Sequence, residues 1–384
     1  MRYFLTEEQK MIIDICRQIV QERIIPQRAE MDEKGIFPAE IIREIGKSDL
    51  FRLFIPSEYG GMGTGIFEVC LATEELSRGD LSVATTYAAS GLGFIPIILM
   101  GSEEQKKKYL PQLASGEKLA AFGLTEPDAG SDVSSIRTRA VLNGQHYILN
   151  GTKQWITNGG EADIYTIFAM TDPAKGSRGA SAFIVEKGTT GFEFGKKENK
   201  LGIRASATRE LIFNDCKIPK DNILGKEGMG FITAMRTFDQ SRPAVGAQAL
   251  GVAQAALEEA LNYSKVRRQF GATISSFQAI QHMLADMATQ IEAARTLVYY
   301  AAKVIDSGEK NVSRLSSMAK IFASDVAMKV TTDAVQILGG YGFMREYPVE
   351  KMMRDVKITQ IYEGTNQILR NIIALDLIKR GFEL

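Results

Sequence analysis

The hydrophobic spacing of this chain changes period twice, and that double change restricts it to a succession of helical, strand-rich and again helical units. Near the start, Thr6-Glu7-Glu8-Gln9 has the spacing of a capping box, and Ile12, Ile15 and Ile19 follow at helical intervals until Pro26. Helices are predicted again at Pro38 to Lys47, Ile66 to Ser77 and Ser102 to Leu113, the last opened by Ser102 and Gln105 in the same arrangement. From about Leu119 the punctuation differs. Asn-Gly pairs at 143–144, 150–151 and 158–159 separate short β-branched or aromatic runs, among them Tyr147 to Leu149, Ile164 to Met170, Ala182 to Val185 and Glu210 to Phe213. After Gly228 the long period returns, over Phe231 to Val266, Ser276 to Ser307 and Ser313 to Leu338. Pro348 opens another short helix, and a last one is predicted from Asn366 to Lys379 behind the cap Thr365. The chain therefore divides into a helical domain over 1–118, a β-domain over 119–225 and a helical bundle over 226–384.

At 384 residues there is length for two or three units with a substantial shared core. Lys plus Arg equals Asp plus Glu at 46 each, so no net field draws the chain to nucleic acid or to an anionic membrane. Cys16, Cys70 and Cys216 are widely spaced and odd in number, the pattern of reduced buried thiols rather than of a disulfide framework. The first residues turn charged at Glu7, Glu8 and Lys10 before any signal-peptide core or transit peptide develops. A cytoplasmic prokaryotic protein is expected, ahead of a processed form from the mitochondrial matrix. The most apolar stretch, Ser82 to Met100, is interrupted by Thr85, Thr86, Ser90, Gly91, Gly93 and Pro96, and is read as buried core rather than as a membrane span.

Several chemistries lack their residues. No GxGxxG follows a strand, and Gly46-Lys47-Ser48 has no glycine five residues upstream to complete a P-loop. With only His146 and His282, no HExxH and no clustered cysteines, no metal site is expected. No serine stands in a GxSxG elbow.

What remains is a set of short segments, each open to a bland reading. Tyr362-Glu363-Gly364-Thr365 sets a carboxylate in a tight loop before a helix, where glycine gives the freedom to aim it inward; a surface glutamate at a helix N-terminus has the same sequence. Leu124 to Asp132 offers hydroxyls and free N–H groups suited to a heterocycle or phosphate, and equally ordinary turn chemistry. Trp155, the only tryptophan, stands near a strand end where it either covers an aromatic cofactor or fills the core. Arg267, Gln269 and Phe270 form either a pyrophosphate clamp or a solvated helix end, and Gln336 to Gly340 either a capped helix terminus or a close approach to a ligand.

In sequence order, LTEPDAGSD at 124–132, QWITNGG at 154–160, LGIRAS at 201–206, RRQFG at 267–271, QILGGYG at 336–342 and IYEGTNQI at 361–368 make this chain resemble the acyl-CoA dehydrogenase family along essentially its whole length. The likeness is nearest to its short- and medium-chain, butyryl-CoA dehydrogenase-like members. It implies a multi-domain α+β fold with an N-terminal α-helical domain, a middle β-barrel-like domain and a C-terminal four-helix bundle. It also implies FAD as cofactor and a homotetramer built as a dimer of dimers. By the resemblance, Glu363 takes the α-proton of a short or medium, straight, branched or alicyclic acyl-CoA while the β-hydride passes to flavin N5, and electrons continue to an electron-transfer flavoprotein. Leu124, Thr125, Trp155 and Thr157 are assigned to the flavin ring, and Ser131 to phosphate or CoA groups. Arg267, Gln269, Phe270, Gln336 and Gly340 go to the FAD of a neighbouring subunit, with Thr365 and Gln367 completing the cofactor set. Asp239, Arg242, Tyr362 and Gly364 are assigned to substrate, although Asp239 and Arg242 have an equal reading as helix-surface charges. Some relatives carry the base just before an arginine on an early bundle helix, a position held here by Ser241, which has no carboxylate. Opposed to this stand an oxygen-using oxidase of the same fold and a non-catalytic thioester-binding protein. Whether the resting Glu363 carboxyl is shifted up by desolvation or down by the helix N-terminus is left open by sequence.

Overall fold

Thr6 opens the first helix as its spacing predicts: its hydroxyl accepts from the Gln9 N–H, and the Gln9 side chain accepts from the Thr6 N–H. In this computed structural model, which describes residues 4–381, the ends of the first and last expected domains at 1–3 and 382–384 lie outside the described residues. The first third is helical, with α1 at Glu7–Ile19, α2 at Arg28–Lys34, α3 at Ala39–Lys47, α4 at Ile66–Gly79, α5 at Leu81–Met100 and α6 at Glu103–Ala114. Between Ile19 and Pro26 the chain continues as a π turn, Val20–Ile24.

Among the described residues, α5 is the one helix long and apolar enough to cross a membrane by length and composition. It lies in the interior instead. Two of its polar residues spend their hydroxyls locally: Thr86 donates to the Ser82 carbonyl and Ser90 to that of Thr86, so burial strands neither group. The helix runs through Pro96. At Gly93 a Cβ would lie 2.6 Å from the Ala121 backbone nitrogen, so the absence of a side chain is what lets α5 rest directly on the neighbouring sheet.

That sheet has eight strands: β1 (Ala120–Gly123), β2 (Arg139–Asn143), β3 (His146–Thr157), β4 (Ile164–Met170), β5 (Ala180–Glu186), β6 (Phe192–Phe194), β7 (Thr208–Pro219) and β8 (Ile223–Leu224). Their order is β6-β7-β3-β2-β4-β5-β8, with β1 parallel to β4. The β2–β3 hairpin falls where Asn143-Gly144 predicts it, though its two turn residues are Gly144 and Gln145, with Gly144 at φ 62° and Asn143 paired with His146. Asn150-Gly151 does not turn the chain. Strand β3 passes through it with a register shift against β7, where Asn150 bonds the Asp215 N–H and side chain across the ladder. A second shift falls between Lys153 and Ile156, and it matters for the site described below.

The C-terminal part begins with α7 (Gly230–Val266). A small hairpin of β9 (Arg268–Gln269) and β10 (Ala272–Thr273) follows, then α8 (Gln278–Asp306), α9 (Ser313–Leu338), α10 (Val349–Val356) and α11 (Asn366–Arg380). Alanines at 247, 253, 256, 294, 301, 319, 323 and 327 are buried in one core with Leu250, Ile291 and Val298; such small side chains allow α7, α8 and α9 to approach closely. Pro243 removes a ladder hydrogen bond inside α7, and the freed carbonyl of Asp239 accepts from the Ser316 hydroxyl on α9 at 2.8 Å. The kink-prone position is thereby tied to the helix it packs against.

Candidate active site

The loop before α11 carries its carboxylate on left-handed backbone. Glu363 has φ 53° and Gly364 φ 98°; glycine takes such a conformation freely, while for glutamate it costs on the order of 1 kcal/mol or more and must be held by its surroundings. Three groups hold it. The Arg242 Nε donates to the Glu363 carbonyl at 3.2 Å, the buried Lys320 Nζ donates to the Gly364 carbonyl at 2.9 Å and to Asn366 Oδ1 at 2.8 Å, and Thr365 caps α11 through the Ile368 N–H. Ser241, one residue before Arg242 on α7, donates its hydroxyl to Glu363 Oε2 at 2.5 Å. Tyr362 is fixed by donating to the Gln248 side chain.

Burial pushes the Glu363 carboxyl above its ordinary value, against the Ser241 hydroxyl and the charges of Arg242 and Lys320, which favour the ionised form. The same burial draws the Lys320 ammonium down to about 7.

Across a cavity of about 130 Å³ from this loop stand Leu124, Thr125, Trp155 and Thr157, together with Phe122, Phe238 and residues of α5. The register shift in β3 explains the tryptophan. Lys153 and Ile156 are buried while Trp155, at φ 57° between them, is turned outward and is 59% exposed, so it is neither core nor ordinary strand. Beneath this wall Lys153 is wholly buried, with its Nζ 2.6 Å from Glu126 Oε1 and 3.0 Å from the Leu124 carbonyl; Glu126 also accepts from the N–H groups of Arg137 and Thr138. Burial pulls the Lys153 ammonium down to about 8, whereas the Glu126 carboxyl sits below its ordinary value because the Lys153 charge and these donors outweigh its burial. At neutral pH the pair is ionic.

A second cleft, of about 430 Å³, gathers Arg267, Gln269, Gly340, Tyr263 and Tyr341, with the Arg267 guanidinium 5.3 Å over the Tyr341 ring. Phe270, at φ 50° in the β9–β10 turn, is 97% exposed beside it, and Gln336 is exposed on the last turn of α9.

Most of the chain matches one family by sequence: the N-terminal domain of acyl-CoA dehydrogenase over residues 6–117, the middle domain over 121–216 and the C-terminal domain over 228–378. This chain belongs to the acyl-CoA dehydrogenase family. An acyl-CoA dehydrogenase of Bacillus subtilis is 50% identical over 375 residues, 97% of this chain and 99% of that one. The solved butyryl-CoA dehydrogenase from Megasphaera elsdenii is 48% identical with a TM-score of 0.96, covering 97% and 99% of the two chains. A chain in a structure described as the electron transferring flavoprotein of Acidaminococcus fermentans is 52% identical with a TM-score of 0.96, covering 99% and 100%.

Acyl-CoA dehydrogenases are FAD-dependent oxidoreductases, and the residues here fit that cofactor. An outward indole borders a cavity beside Leu124 and Thr125, and the second cleft carries Arg267 and Gln269 next to Gly340, where a missing side chain leaves open space. The other residues singled out from sequence are scattered. Ser131 is exposed on its loop, Gln367 is exposed on α11, and Thr365 uses its hydroxyl as a cap. Arg242 is buried, with Asp239 3.4 Å away, so the reading of Arg242 as a surface charge fails. Sequence reasoning missed Gln248, Lys320 and the Lys153–Glu126 pair. Gln248, Lys320 and Lys153 signalled only by polarity at apolar helix or strand positions, and Glu126 lies in the singled-out loop 124–132 without having been given a partner.

Proposed function

We propose that this acyl-CoA dehydrogenase desaturates a short acyl-CoA between Cα and Cβ, with Glu363 as the base that takes the α-proton. The observation that carries this reading is the Glu363 carboxylate lining one cavity with Leu124, Thr125, Trp155 and Thr157. FAD, when bound, supplies the acceptor for the β-hydride. Leu124, Thr125, Trp155 and Thr157 hold and orient its ring. Glu363 would face the acyl chain from the other wall, placed to take the α-proton on the side away from the ring. The Glu363 N–H donates to no group among the described residues, which leaves it available to the thioester carbonyl as negative charge develops there.

The second cleft extends the proposal to the assembly. Arg267, Gln269, Phe270, Gln336 and Gly340 bind the far end of FAD from a neighbouring subunit of a dimer-of-dimers tetramer. Support comes from Phe270 at 97% and Phe343 at 77% exposure, apolar surface that water-facing monomers seldom leave uncovered. Thr365 and Gln367 lie next to the base loop and serve the same cofactor. Ser131, Asp239, Arg242, Tyr362 and Gly364 serve the CoA thioester, Arg242 by shaping the loop. Electrons leave to an electron-transfer flavoprotein, the class of protein after which the Acidaminococcus structure is described. The bacterial relative is consistent with work in a prokaryotic cytoplasm.

Butyryl-CoA added without air to the FAD-loaded enzyme is expected to bleach the flavin absorbance, with slow reoxidation by oxygen. No bleaching by any member of a panel of straight, branched and alicyclic acyl-CoAs would sink the reading. The pH profile gives a sharper check. Among the described residues Ser241 supplies the one hydrogen bond that the carboxylate accepts, so Ser241→Ala moves the acid limb of the bleaching rate upward by about one pH unit, the worth of one hydrogen bond to a charged group. A limb that stays in place would mean that Glu363 is not the group titrating.

A further inference from the structure

Resting on that reading, the length of the acyl chain can be taken from the wall behind the base. The cavity of Trp155 and Thr157 adjoins a second, much smaller one, and Ala88, Leu92 and Glu363 line both. The smaller cavity measures about 10 Å³ and is otherwise walled mainly by Phe54, Ile66, Val69, Ile95, Ala244 and Val245. It has room for roughly one water or methyl group. An acyl group whose Cα faces Glu363 and whose Cβ faces the Trp155 and Thr157 side would direct its tail toward this space.

Phe54, half-buried, lines that space and is braced by its neighbours. It is the last residue of the 3-10 turn Leu50–Phe54, and its ring lies 5.1 Å from that of Tyr87 and 5.4 Å, edge-on, from that of Phe94. Tyr87 is itself anchored, fully buried with its hydroxyl on the Leu50 carbonyl at 2.9 Å. The ring is seated in a notch cut by Gly91, where a Cβ would come within 2.3 Å of Phe54 Cε1. A longer acyl chain must push this aromatic cluster out of a close-packed core.

We infer that Phe54 is the specificity-determining residue that closes the acyl channel and limits the substrate to a butyryl-sized chain. The carbonyl carbon, Cα and Cβ occupy the reacting cavity, and roughly one carbon more fits behind them. The ligand class is a short aliphatic acyl thioester without a charged end, because among the described residues the smaller cavity is lined by apolar side chains with Gln240 and Ser241, and Glu363 is its one charged group.

The test compares kcat/KM for butyryl-, hexanoyl- and octanoyl-CoA on the FAD-loaded enzyme and its Phe54→Ala and Phe54→Leu variants, with flavin content measured for each. Each extra methylene that a pocket refuses is worth about 10- to 200-fold, so octanoyl-CoA is expected at least about 100-fold below butyryl-CoA in the wild type. Phe54→Ala reduces that ratio by about tenfold or more, and Phe54→Leu, which keeps more of the packing, reduces it by less. Wild-type enzyme that handles octanoyl-CoA as well as butyryl-CoA overturns the inference even if neither variant folds. So does a variant with full flavin and an unchanged ratio. A wild type that bleaches with no acyl-CoA at all instead overturns the underlying function, which keeps the two failures apart.

Discussion

Glu363→Gln is expected to slow anaerobic flavin bleaching by about 10²- to 10⁴-fold while FAD and acyl-CoA remain bound, the loss that accompanies removal of a positioned acid–base group. The amide has the shape of the carboxylate and still accepts from the Ser241 hydroxyl, so the loop keeps its form. Its backbone N–H is also unchanged, and the proposed contact to the thioester carbonyl survives. What disappears is the proton acceptor. No neighbour replaces it: Ser241 has no carboxylate, and Asp239 is 3.4 Å from Arg242 and does not line either cavity at Glu363. Stopped-flow bleaching together with a spectral titration of ligand binding reads rate and affinity separately. Normal bleaching in this variant would remove Glu363 from the proposed role.

Much of the fold was legible because it is written locally. Thr6, Ser102 and Thr365 each cap a helix within three residues of themselves, and the capping hydroxyls form the bonds their spacing predicts. The Asn143-Gly144 hairpin is equally local. The identical pair at 150–151 failed as a turn because the long β3–β7 ladder outweighs the preference of two residues and absorbs them as an irregularity. In the site, Glu363 stood out because its glycine and helix cap lie beside it in sequence. Sequence nevertheless missed that Glu363 itself takes a left-handed φ, since that conformation is imposed by Arg242 and Lys320 from two other helices. Trp155 stayed ambiguous for a related reason: its outward turn depends on a register shift with a strand some 50 residues away, Thr208–Pro219. Phe54 gave no signal at all. Its meaning comes from Gly91 and Tyr87 on a helix that only the tertiary fold brings next to it.

Lys153→Met is expected to cost about 3–5 kcal/mol of stability and to strip the enzyme of flavin, because it leaves Glu126 charged, buried and without its counter-ion. The side chain of Lys153 is completely shielded and that of Glu126 only 7% exposed, so water provides little compensation. The effect reaches the site through the backbone. Lys153 Nζ also donates to the Leu124 carbonyl, and Leu124, Thr125 and Trp155, close in sequence to the two partners of this ion pair, line one cavity. A purely local defect would lower the thermal midpoint and leave flavin content alone; a positioning role lowers both. The double variant Lys153→Met with Glu126→Met separates charge from position. Removing both charges restores most of the stability, since a buried ion pair is often matched by apolar groups of similar volume. It does not restore the hydrogen bond to Leu124, so flavin affinity stays low while the thermal midpoint recovers. If the single variant unfolds at the wild-type temperature with its flavin in place, the pair has no part in building the site.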